Sequence, residues 1–350
     1  MSLDVPKVTV TMPVYNGERY LGQAIESILN QTFRDFEFII IDDGSTDGTA
    51  GILAHYQQID SRIHVYLQEN QGVTASRNRG CHLALGKYIA VMDADDISLP
   101  ERLAREVNYL DEHPEVGVLG TCTEQIDESG KRTQNRRMPT TPSLVGWCLI
   151  FGNCLEHSSV MMRRDVVEQL GFYRTELRLA EDYDLWSRAS LVTRVANIPE
   201  ILVRYRVWEG GTTSRRLLEM EQYAARVSHS MIIRLLGPAV SSGEEVTMQP
   251  VSNLLPLGDS KQIDKMATLV KRLYRAYLDT HSLNRAETRE VARDAGIRLL
   301  ALAASPGEIA LVKRLRIVAQ AITLSPYLLW SKQVIAKGAE RSFRMLFRRV

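Results

Sequence analysis

The sequence predicts an α/β protein built on a mostly parallel, Rossmann-like sheet flanked by helices. Three apolar segments, residues 8–13, 37–42 and 87–92, are typical of strands, and each runs into polar or acidic residues. A segment with helical spacing follows each of them, which indicates parallel strands joined by crossover helices. Because parallel strands end on one edge of their sheet, the residues after these strands should lie in one crevice. Those residues are Tyr15, Asp42, Asp43, Asp93 and Asp95. A crevice with so many carboxylates is expected to bind a cation.

The remaining elements of the first half follow from their patterns. The second and third of these segments predict strands at 36–42, which is almost continuously apolar, and at 88–92, and further strands are predicted at 63–67 and 116–119. Helices are predicted at 19–30, from Ser45 or Thr46 toward Tyr56, at 72–85 and from Pro100 onward. Residues 127–143 are polar and basic and contain two prolines, which predicts a surface loop.

The second half changes character along the chain. Residues 144–205 mix helical and strand patterns, and beyond about residue 214 the pattern is helical to the end. We therefore expect two domains, 1–213 and 214–350, of which the second is a helical C-terminal region. Its segment 286–304 is strongly amphipathic, which predicts packing against neighbouring helices.

Composition narrows the class of protein. Hydrophobic residues make up 45% and charged residues 24% of the 350 residues, which is ordinary for a globular protein. A net charge of +1 gives no support for nucleic-acid binding. The four cysteines show no CxxC spacing, and the N-terminus lacks a signal-peptide pattern, so a cytoplasmic protein with reduced thiols is expected. The most apolar segment, 317–330, is too short to span a membrane and is broken by Gln320 and Pro326.

Six motifs occur in an order that resembles the family-2 glycosyltransferases. They are PVYNGERYL, QTFRDFEFIIIDDGSTDGT, NQGVTASRNRG, YIAVMDADD, EHSSVMMRRDV and EDYDLWSR. The resemblance covers about residues 5–214 and implies the GT-A nucleotide-sugar-binding fold. Each string is weak alone, whereas six in the order of the family form a specific match.

The DADD segment, residues 93–96, predicts a cation site. Mg²⁺ or Mn²⁺ bound by one or two carboxylates can neutralise a diphosphate leaving group. The resemblance implies that Asp95 ligates the metal and that Asp93 lies near the ribose or the waters of the metal. The alternative is an acidic turn in which Asp96 caps the helix at Pro100.

The nucleotide contacts are expected at the first three motifs. The resemblance implies that Asp43 accepts a hydrogen bond from the base, which is uracil in many members. Asp42 is expected to stabilise the turn, and the alternative is that the two aspartates exchange these roles. Tyr15, after Pro13, either stacks on the base or packs as a buried aromatic ring. Arg77 suits a phosphate or a carbonyl, and its alternative is a solvated arginine on a helix face.

The EDYDLWSR segment is expected to supply the catalytic base. Inverting transfer to a hydroxyl requires a carboxylate opposite the departing diphosphate, and the resemblance assigns this role to Asp182. Glu181 would support the acceptor or the base, although acidic residues at a helix start usually serve only the helix dipole. His157 lies in a segment on the acceptor side; it either contacts the diphosphate or fills the core.

Two departures from the family pattern shape the functional expectation. Trp208 stands where family members often carry the histidine of a YRxH segment, so either the metal has fewer protein ligands or the Gly210–Gly211 loop compensates. The QxxRW signature of processive synthases is absent, which favours transfer of a single sugar. The donor would be a nucleotide-diphosphate sugar, most simply a UDP-sugar, and the acceptor a saccharide or lipid-linked hydroxyl in bacterial surface polysaccharide or glycolipid assembly.

Alternatives from other classes stay open at this point. A sugar-nucleotide nucleotidyltransferase would share the sheet and the metal, and a non-catalytic nucleotide-sugar-binding protein would share the binding site. The C-terminal segment GAERSFRMLFRRV combines four arginines with apolar residues. This composition predicts peripheral contact with the inner face of the plasma membrane. The alternatives are a solvated helix and a helix that pairs with a second copy of the chain to form a homodimer.

Overall fold

A computed structural model of the chain describes residues 5–211, 216–238, 260–305, 310–326 and 328. The chain divides into two compact units. One unit is formed by Met1–Gly146 and Asn153–Ala224, and the other by Trp147–Gly152 and Ala225–Val350. The expected division into domains at about residue 213 stays a prediction.

The first half of the chain forms the predicted parallel strands. They are β1 (Val8–Val14), β2 (Phe36–Asp42), β3 (Ile63–Leu67) and β4 (Tyr88–Val91). Strand β1 pairs in parallel with β2 and with β4, and β2 pairs in parallel with β3. Every residue of β2 is buried, as expected for an apolar strand covered on both faces. The carboxyl ends of these strands therefore lie on one edge of the sheet.

The crossover helices are α1 (Leu21–Leu29), α2 (Thr49–Ile59), α3 (Val73–Leu83) and α4 (Arg102–Glu112). Helix α1 illustrates how the sequence determines packing: Leu21, Ala24, Ile25 and Ile28 repeat at helical spacing and are all fully buried. They join one hydrophobic core with the apolar residues of the four strands. Burying one such aliphatic side chain contributes about 1.5 to 3 kcal/mol.

The sheet continues on the other side of β4. It adds β5 (Ile97–Ser98), β6 (Val116–Ile126), β7 (Arg132–Arg136), β8 (Met161–Arg163) and β9 (Arg194–Arg206). Among the described residues the strand order is β3-β2-β1-β4-β8-β6-β9-β5, with β7 on β6. The long β6–β9 ladder is parallel, whereas β8 is antiparallel to both β4 and β6. The expected mostly parallel sheet is confirmed.

Three local predictions were wrong. The helix predicted after Ser45 or Thr46 begins at Thr49 without a side-chain cap, because both residues instead bond the loop at Asn16. Helix α4 begins at Arg102 rather than at Pro100, whose carbonyl accepts a hydrogen bond from the backbone N–H of Thr32. The loop predicted at 127–143 contains β7, because a polar, exposed edge strand lacks the apolar alternation that predicts strands.

The remaining described elements are helical. They are α5 (Pro142–Cys148), α6 (Arg164–Leu170), α7 (Glu181–Ala189), α8 (Leu217–Leu236), α9 (Ser260–Thr280), α10 (Arg285–Ala303) and α11 (Leu311–Leu324). Asn284 and Glu287 form a capping box at the start of α10. In the second unit, the Trp147 indole is fully buried and donates a hydrogen bond to Asp294 at 2.7 Å.

The helical character expected beyond residue 214 is thus confirmed for the described residues. Within those residues, no helix combines the length and the apolarity needed to cross a lipid bilayer. The basic C-terminal segment GAERSFRMLFRRV lies outside the described residues.

Candidate active site

The loop after β1 is fastened to the loop after β2. Asn16 adopts a left-handed backbone conformation with φ of 50°, and its side-chain oxygen accepts a hydrogen bond from the Thr46 N–H at 2.8 Å. The Asn16 N–H in turn donates to the Ser45 hydroxyl at 2.9 Å. Tyr15, which directly follows β1, is 53% exposed, which contradicts the alternative of a buried aromatic ring.

Asp43 shapes the turn that leads into α3. Its Oδ1 accepts hydrogen bonds from the Gln68 amide at 2.7 Å and from the Gln71 N–H at 2.9 Å, and its Oδ2 accepts from the Gly72 N–H at 2.8 Å. Gly72 has a φ of 89°, which favours glycine at this position. Asp42 serves the preceding turn, where its Oδ1 accepts from the Ser45 N–H at 2.9 Å.

Arg77 joins two carboxylates from distant parts of the chain. Its Nη2 donates to Asp93 Oδ1 at 2.9 Å, and its Nη1 donates to Glu181. The arginine side chain is 12% exposed, so the alternative of a solvated helix-face arginine is wrong. Burial alone would raise the pKa of Asp93, but the charge of Arg77, together with His157, outweighs it and holds that pKa far below the ordinary value.

The second oxygen of Asp93 faces His157 and Ser158. The Ser158 hydroxyl donates to Asp93 Oδ2 at 3.1 Å, and His157 Nδ1 lies 3.3 Å from the same oxygen. The other ring nitrogen of His157 lies 3.2 Å from the Tyr173 hydroxyl, and the ring packs near Trp186. His157 therefore is buried among aromatic side chains, as the core-filling alternative expects, and it also contacts a site carboxylate; its contact with the diphosphate stays a prediction.

Glu181 and Asp182 open α7 and lie in different environments. Glu181 is 4% exposed; its burial, opposed by Arg77 and reinforced by Asp182, raises its pKa to about 7. Asp182 is half-buried, and its Oδ2 accepts a hydrogen bond from the Asn153 amide at 2.8 Å. Its Oδ1 accepts from the Tyr183 N–H at 2.6 Å. The two neighbouring carboxylates are thus held by different donors.

Asp95 and Asp96 are held by β9 and the residues that follow it. The Arg206 guanidinium donates to the Asp95 carbonyl at 2.8 Å, and the Arg206 N–H donates to Asp96 Oδ1 at 2.7 Å. The Trp208 indole N–H donates to Asp95 Oδ2 at 2.8 Å. Because Asp96 bonds to β9 and α4 has no side-chain cap, the alternative of a helix-capping turn is wrong.

The charges after β4 are suited to an additional cation. Burial and the neighbouring Asp93 raise the pKa of Asp95, and burial together with Asp95 and Asp93 raises that of Asp96 further. Among the described residues, no group of three or more His, Cys, Asp or Glu side chains could hold a metal ion alone. A cation here would thus depend on one or two carboxylates and on oxygens of a bound ligand, a donor set that Mg²⁺ commonly uses. Asp95 fits this requirement.

With this geometry established, comparison with known proteins identifies the family. The profile of glycosyl transferase family 2 matches residues 9–171. Over 284 residues the chain is 31% identical to an uncharacterized glycosyltransferase of Haemophilus influenzae, covering 78% of this chain and 86% of that relative. The chain belongs to glycosyl transferase family 2. The enzyme is also 32% identical to WbnJ, an O-antigen biosynthesis glycosyltransferase of Escherichia coli, over 61% of this chain and 85% of that relative.

Two solved structures share the fold of this glycosyltransferase. TarS of S. aureus, in complex with UDP-GlcNAc, matches with a TM-score of 0.55 and 18% identity over 93% of this chain and 92% of that chain. The mannosyltransferase PcManGT from Pyrobaculum calidifontis, in complex with GDP-Man and Mn²⁺, matches with a TM-score of 0.52 and 17% identity over 99% and 88%. The chain spans 53% of a longer TarS structure. These likenesses confirm the expected GT-A-type fold.

Three polar residues of the glycosyltransferase were missed by sequence reasoning: Asn153, Ser158 and Arg206. Asn153 contacts Asp182, Ser158 contacts Asp93, and Arg206 fixes the backbone of Asp95. Ser158 lies inside the EHSSVMMRRDV motif, so its position next to His157 was an available signal. Arg206 is the arginine of the YRVW segment that ends at Trp208, so this segment was also an available signal. Asn153 carries no local pattern, because a long-range contact alone brings it to Asp182.

Proposed function

We propose that the enzyme is an inverting, metal-dependent glycosyltransferase that moves one sugar from a nucleotide-diphosphate sugar to an acceptor hydroxyl. The observation that carries this proposal is the contact of Arg77 with both Asp93 and Glu181. This contact joins the DADD segment after β4 to the start of α7. It therefore brings a candidate metal ligand, Asp95, and a candidate base, Asp182, to the same side of the sheet.

The nucleotide would bind at the ends of β1 and β2. The exposed Tyr15 ring offers a stacking surface for a base, and Pro13 precedes it in β1. Asp43 Oδ2 accepts one hydrogen bond from the protein, so this oxygen retains capacity for one from the base. TarS was solved with UDP-GlcNAc and PcManGT with GDP-Man, which supports a nucleotide-sugar donor. A UDP-sugar is our first choice.

The cation, Mg²⁺ or Mn²⁺, would be held by Asp95, with Asp93 near the ribose or the waters of the metal. When bound, the metal neutralises negative charge on the diphosphate that leaves the sugar. PcManGT was solved in complex with Mn²⁺, which supports this choice of ion. Arg77 is already engaged by Asp93 and Glu181, so we assign it the positioning of these carboxylates next to the donor.

Asp182 would remove the proton from the acceptor hydroxyl. Asn153 and the Tyr183 N–H each bond one carboxylate oxygen, which fixes the direction of the remaining lone pairs. A proton taken by this carboxylate generates the nucleophile opposite the departing diphosphate, and the configuration at the sugar inverts. Glu181, held by Arg77, supports the base, and His157 supports Asp93.

The acceptor would be a saccharide or a lipid-linked saccharide in surface polysaccharide or glycolipid assembly. This proposal rests on relatives such as WbnJ, which is named for O-antigen biosynthesis, and on the missing signature of processive synthases. A lipid-linked acceptor would suit a cytoplasmic enzyme held at the inner face of the membrane by its basic C-terminal segment. If truncation after Ala339 leaves recovery with the membrane fraction unchanged, that attachment is excluded; size-exclusion chromatography tests the homodimer.

A thermal-shift panel tests the donor class and the metal together. UDP, GDP and their sugars are added with and without Mn²⁺, and ligands that bind only the folded protein raise its melting temperature. At a ligand concentration one hundred times the Kd, the stabilisation is about 2.7 kcal/mol. We expect UDP-sugars with Mn²⁺ to give the largest shift. A shift without dependence on Mn²⁺ would contradict the metal, and no shift with any nucleotide would contradict the function.

A further inference from the structure

We infer that Trp208 is a positioning residue that orients Asp95 for the cation. Its indole N–H donates a hydrogen bond of 2.8 Å to Asp95 Oδ2. The inference rests on the proposed function, because it concerns the carboxylate to which we assign the metal. It also resolves the departure noted in the sequence, since the tryptophan contacts the proposed ligand instead of replacing one.

The indole ring is held on one side by aromatic packing. Its centroid lies 5.3 Å from that of Tyr20, with the rings inclined at 75°, and the Arg19 guanidinium lies 5.8 Å from the indole centroid. Arg206 stacks on the same Tyr20 ring at 4.2 Å and donates to the Asp95 carbonyl. The packing that fixes the indole thus also fixes the backbone of Asp95.

The loop after Trp208 is shaped around the indole. The backbone of Gly210 lies so close to the ring that a Cβ at this position would be 2.0 Å from the indole Cζ3. The Gly211 N–H donates to the Trp208 carbonyl at 3.1 Å, which closes the loop. Any side chain at residue 210 must therefore displace the loop or the ring. We infer that Gly210 helps to hold the Trp208 indole against Asp95.

The chemistry of the donor explains why a tryptophan suits this position. An indole N–H can only donate a hydrogen bond, so it takes one acceptor position on Oδ2 and fixes the direction in which the remaining positions of the carboxylate can meet a cation. Unlike arginine or lysine, the indole is neutral, so it orients the carboxylate without neutralising its charge. Residues that orient a metal ligand in this way typically change metal affinity by about 10- to 100-fold when they are replaced.

The test replaces only the N–H. Trp208→Phe keeps an aromatic ring against Tyr20 but removes the hydrogen bond to Asp95. Mn²⁺ is titrated into the wild type and the variant in the presence of UDP in one arm and GDP in the other, and free Mn²⁺ is measured by electron paramagnetic resonance. We expect the Kd for Mn²⁺ to rise by about tenfold or more, with nucleotide affinity in the absence of metal unchanged.

Two further variants make the result specific. Gly210→Ala retains the indole but crowds it, and it should raise the Mn²⁺ Kd in the same direction. Trp147→Phe is the matched control, because it removes an indole N–H that donates to an aspartate, Asp294, in the other unit. It should leave the Mn²⁺ Kd unchanged in protein whose circular dichroism remains native.

The outcomes separate this inference from the proposed function. Mn²⁺ binding that is unchanged or tighter in Trp208→Phe overturns the positioning role while the metal-dependent function stands. An equal loss in Trp147→Phe also overturns it, since the effect would then be general. If the wild type binds no Mn²⁺ with either nucleotide, the proposed metal dependence fails, and the inference fails with it.

Discussion

Four carboxylates of the candidate site form two pairs that are stabilised in opposite ways. The inner pair, Asp93 and Glu181, accepts hydrogen bonds from the cationic guanidinium of Arg77. The outer pair, Asp95 and Asp182, accepts side-chain hydrogen bonds from neutral donors, an indole and an amide. Each outer residue lies one or two positions from an inner one in the sequence. The charges of the inner pair are thus shared with the protein, whereas those of the outer pair remain available to a ligand.

This difference indicates that the inner pair stabilises the fold and that the outer pair acts on the ligands. A carboxylate paired with a buried arginine is costly to disturb, because removing one partner leaves the other charged and buried. A carboxylate oriented by a neutral donor has a fixed direction and no protein cation that neutralises it, as a metal ligand or a general base requires. We therefore expect variants of the outer pair to lose function and variants of the inner pair to lose stability.

The largest expected effect is on transfer in Asp182→Asn. The amide has nearly the same size but cannot accept the proton of the acceptor hydroxyl, so transfer should fall by about 10²- to 10⁴-fold. Binding of the donor nucleotide, measured by calorimetry, should remain. The matched control is Asp165→Asn, whose exposed carboxylate also accepts a hydrogen bond from the next N–H in its helix. Transfer by Asp182→Asn within a few fold of the wild type would exclude Asp182 as the base.

Arg77→Met should show the largest loss of stability. It leaves Asp93 and Glu181 without their shared cation, and breaking buried pairs of this kind costs about 3 to 5 kcal/mol. Urea unfolding measures this loss. Arg174→Met is the control, since Arg174 is 52% exposed and the buried Asp184 keeps Arg188 as a partner at 2.7 Å when Arg174 is lost. This loss should cost about 1 kcal/mol or less. Equal losses in both variants would show that the inner pair has no special role.

The third test compares Asp93→Asn directly with Asp95→Asn. Asp93→Asn should destabilise the fold, because it deprives Arg77 of a charged partner. Asp95→Asn should leave stability unchanged or raise it, since burial and the repulsion from Asp93 already disfavour its charge. Its loss should fall on metal-dependent nucleotide affinity, by about tenfold or more. Calorimetry with UDP and GDP, with and without Mn²⁺, measures the nucleotide affinity, and urea unfolding measures the stability. The comparison fails if Asp95→Asn loses stability while Asp93→Asn does not.

The sequence predicted the carboxylates of the candidate site but not the side chains that donate hydrogen bonds to them. The strand ends placed Asp43, Asp93 and Asp95 on one edge, because apolar runs and the rule for parallel strands suffice for that. Neither the contact of Arg77 with Glu181 nor that of Trp208 with Asp95 was predicted. Each joins residues about one hundred positions apart, at 104 and 113. Side-chain direction across such a separation depends on the register of several strands, which no local pattern encodes.

The fourth prediction concerns a second buried arginine–carboxylate pair, Arg102–Glu106, which contacts the end of β4. Arg102 donates to the carbonyls of Val91 and Val160 and pairs with Glu106 at 3.2 Å. Here burial outweighs the arginine and raises the pKa of Glu106 to about 7. This result matches that for Glu181 and is opposite to that for Asp93, so the pair tests whether an arginine alone decides the protonation state of a buried carboxylate.

The sign of the pH dependence follows from this raised pKa. The folded protein keeps a proton on Glu106 that the unfolded chain releases above its ordinary pKa, so the stabilisation is complete at low pH and is lost as the pH rises toward 7. From the shift we expect a contribution of about 3 to 4 kcal/mol. Urea unfolding at pH 5 and pH 8 should therefore show a smaller decline for Glu106→Gln than for the wild type. Glu112→Gln, at the exposed end of the same helix, should decline as the wild type does. If Glu106→Gln shows the full decline, Arg102 keeps Glu106 charged, and the two buried pairs are alike.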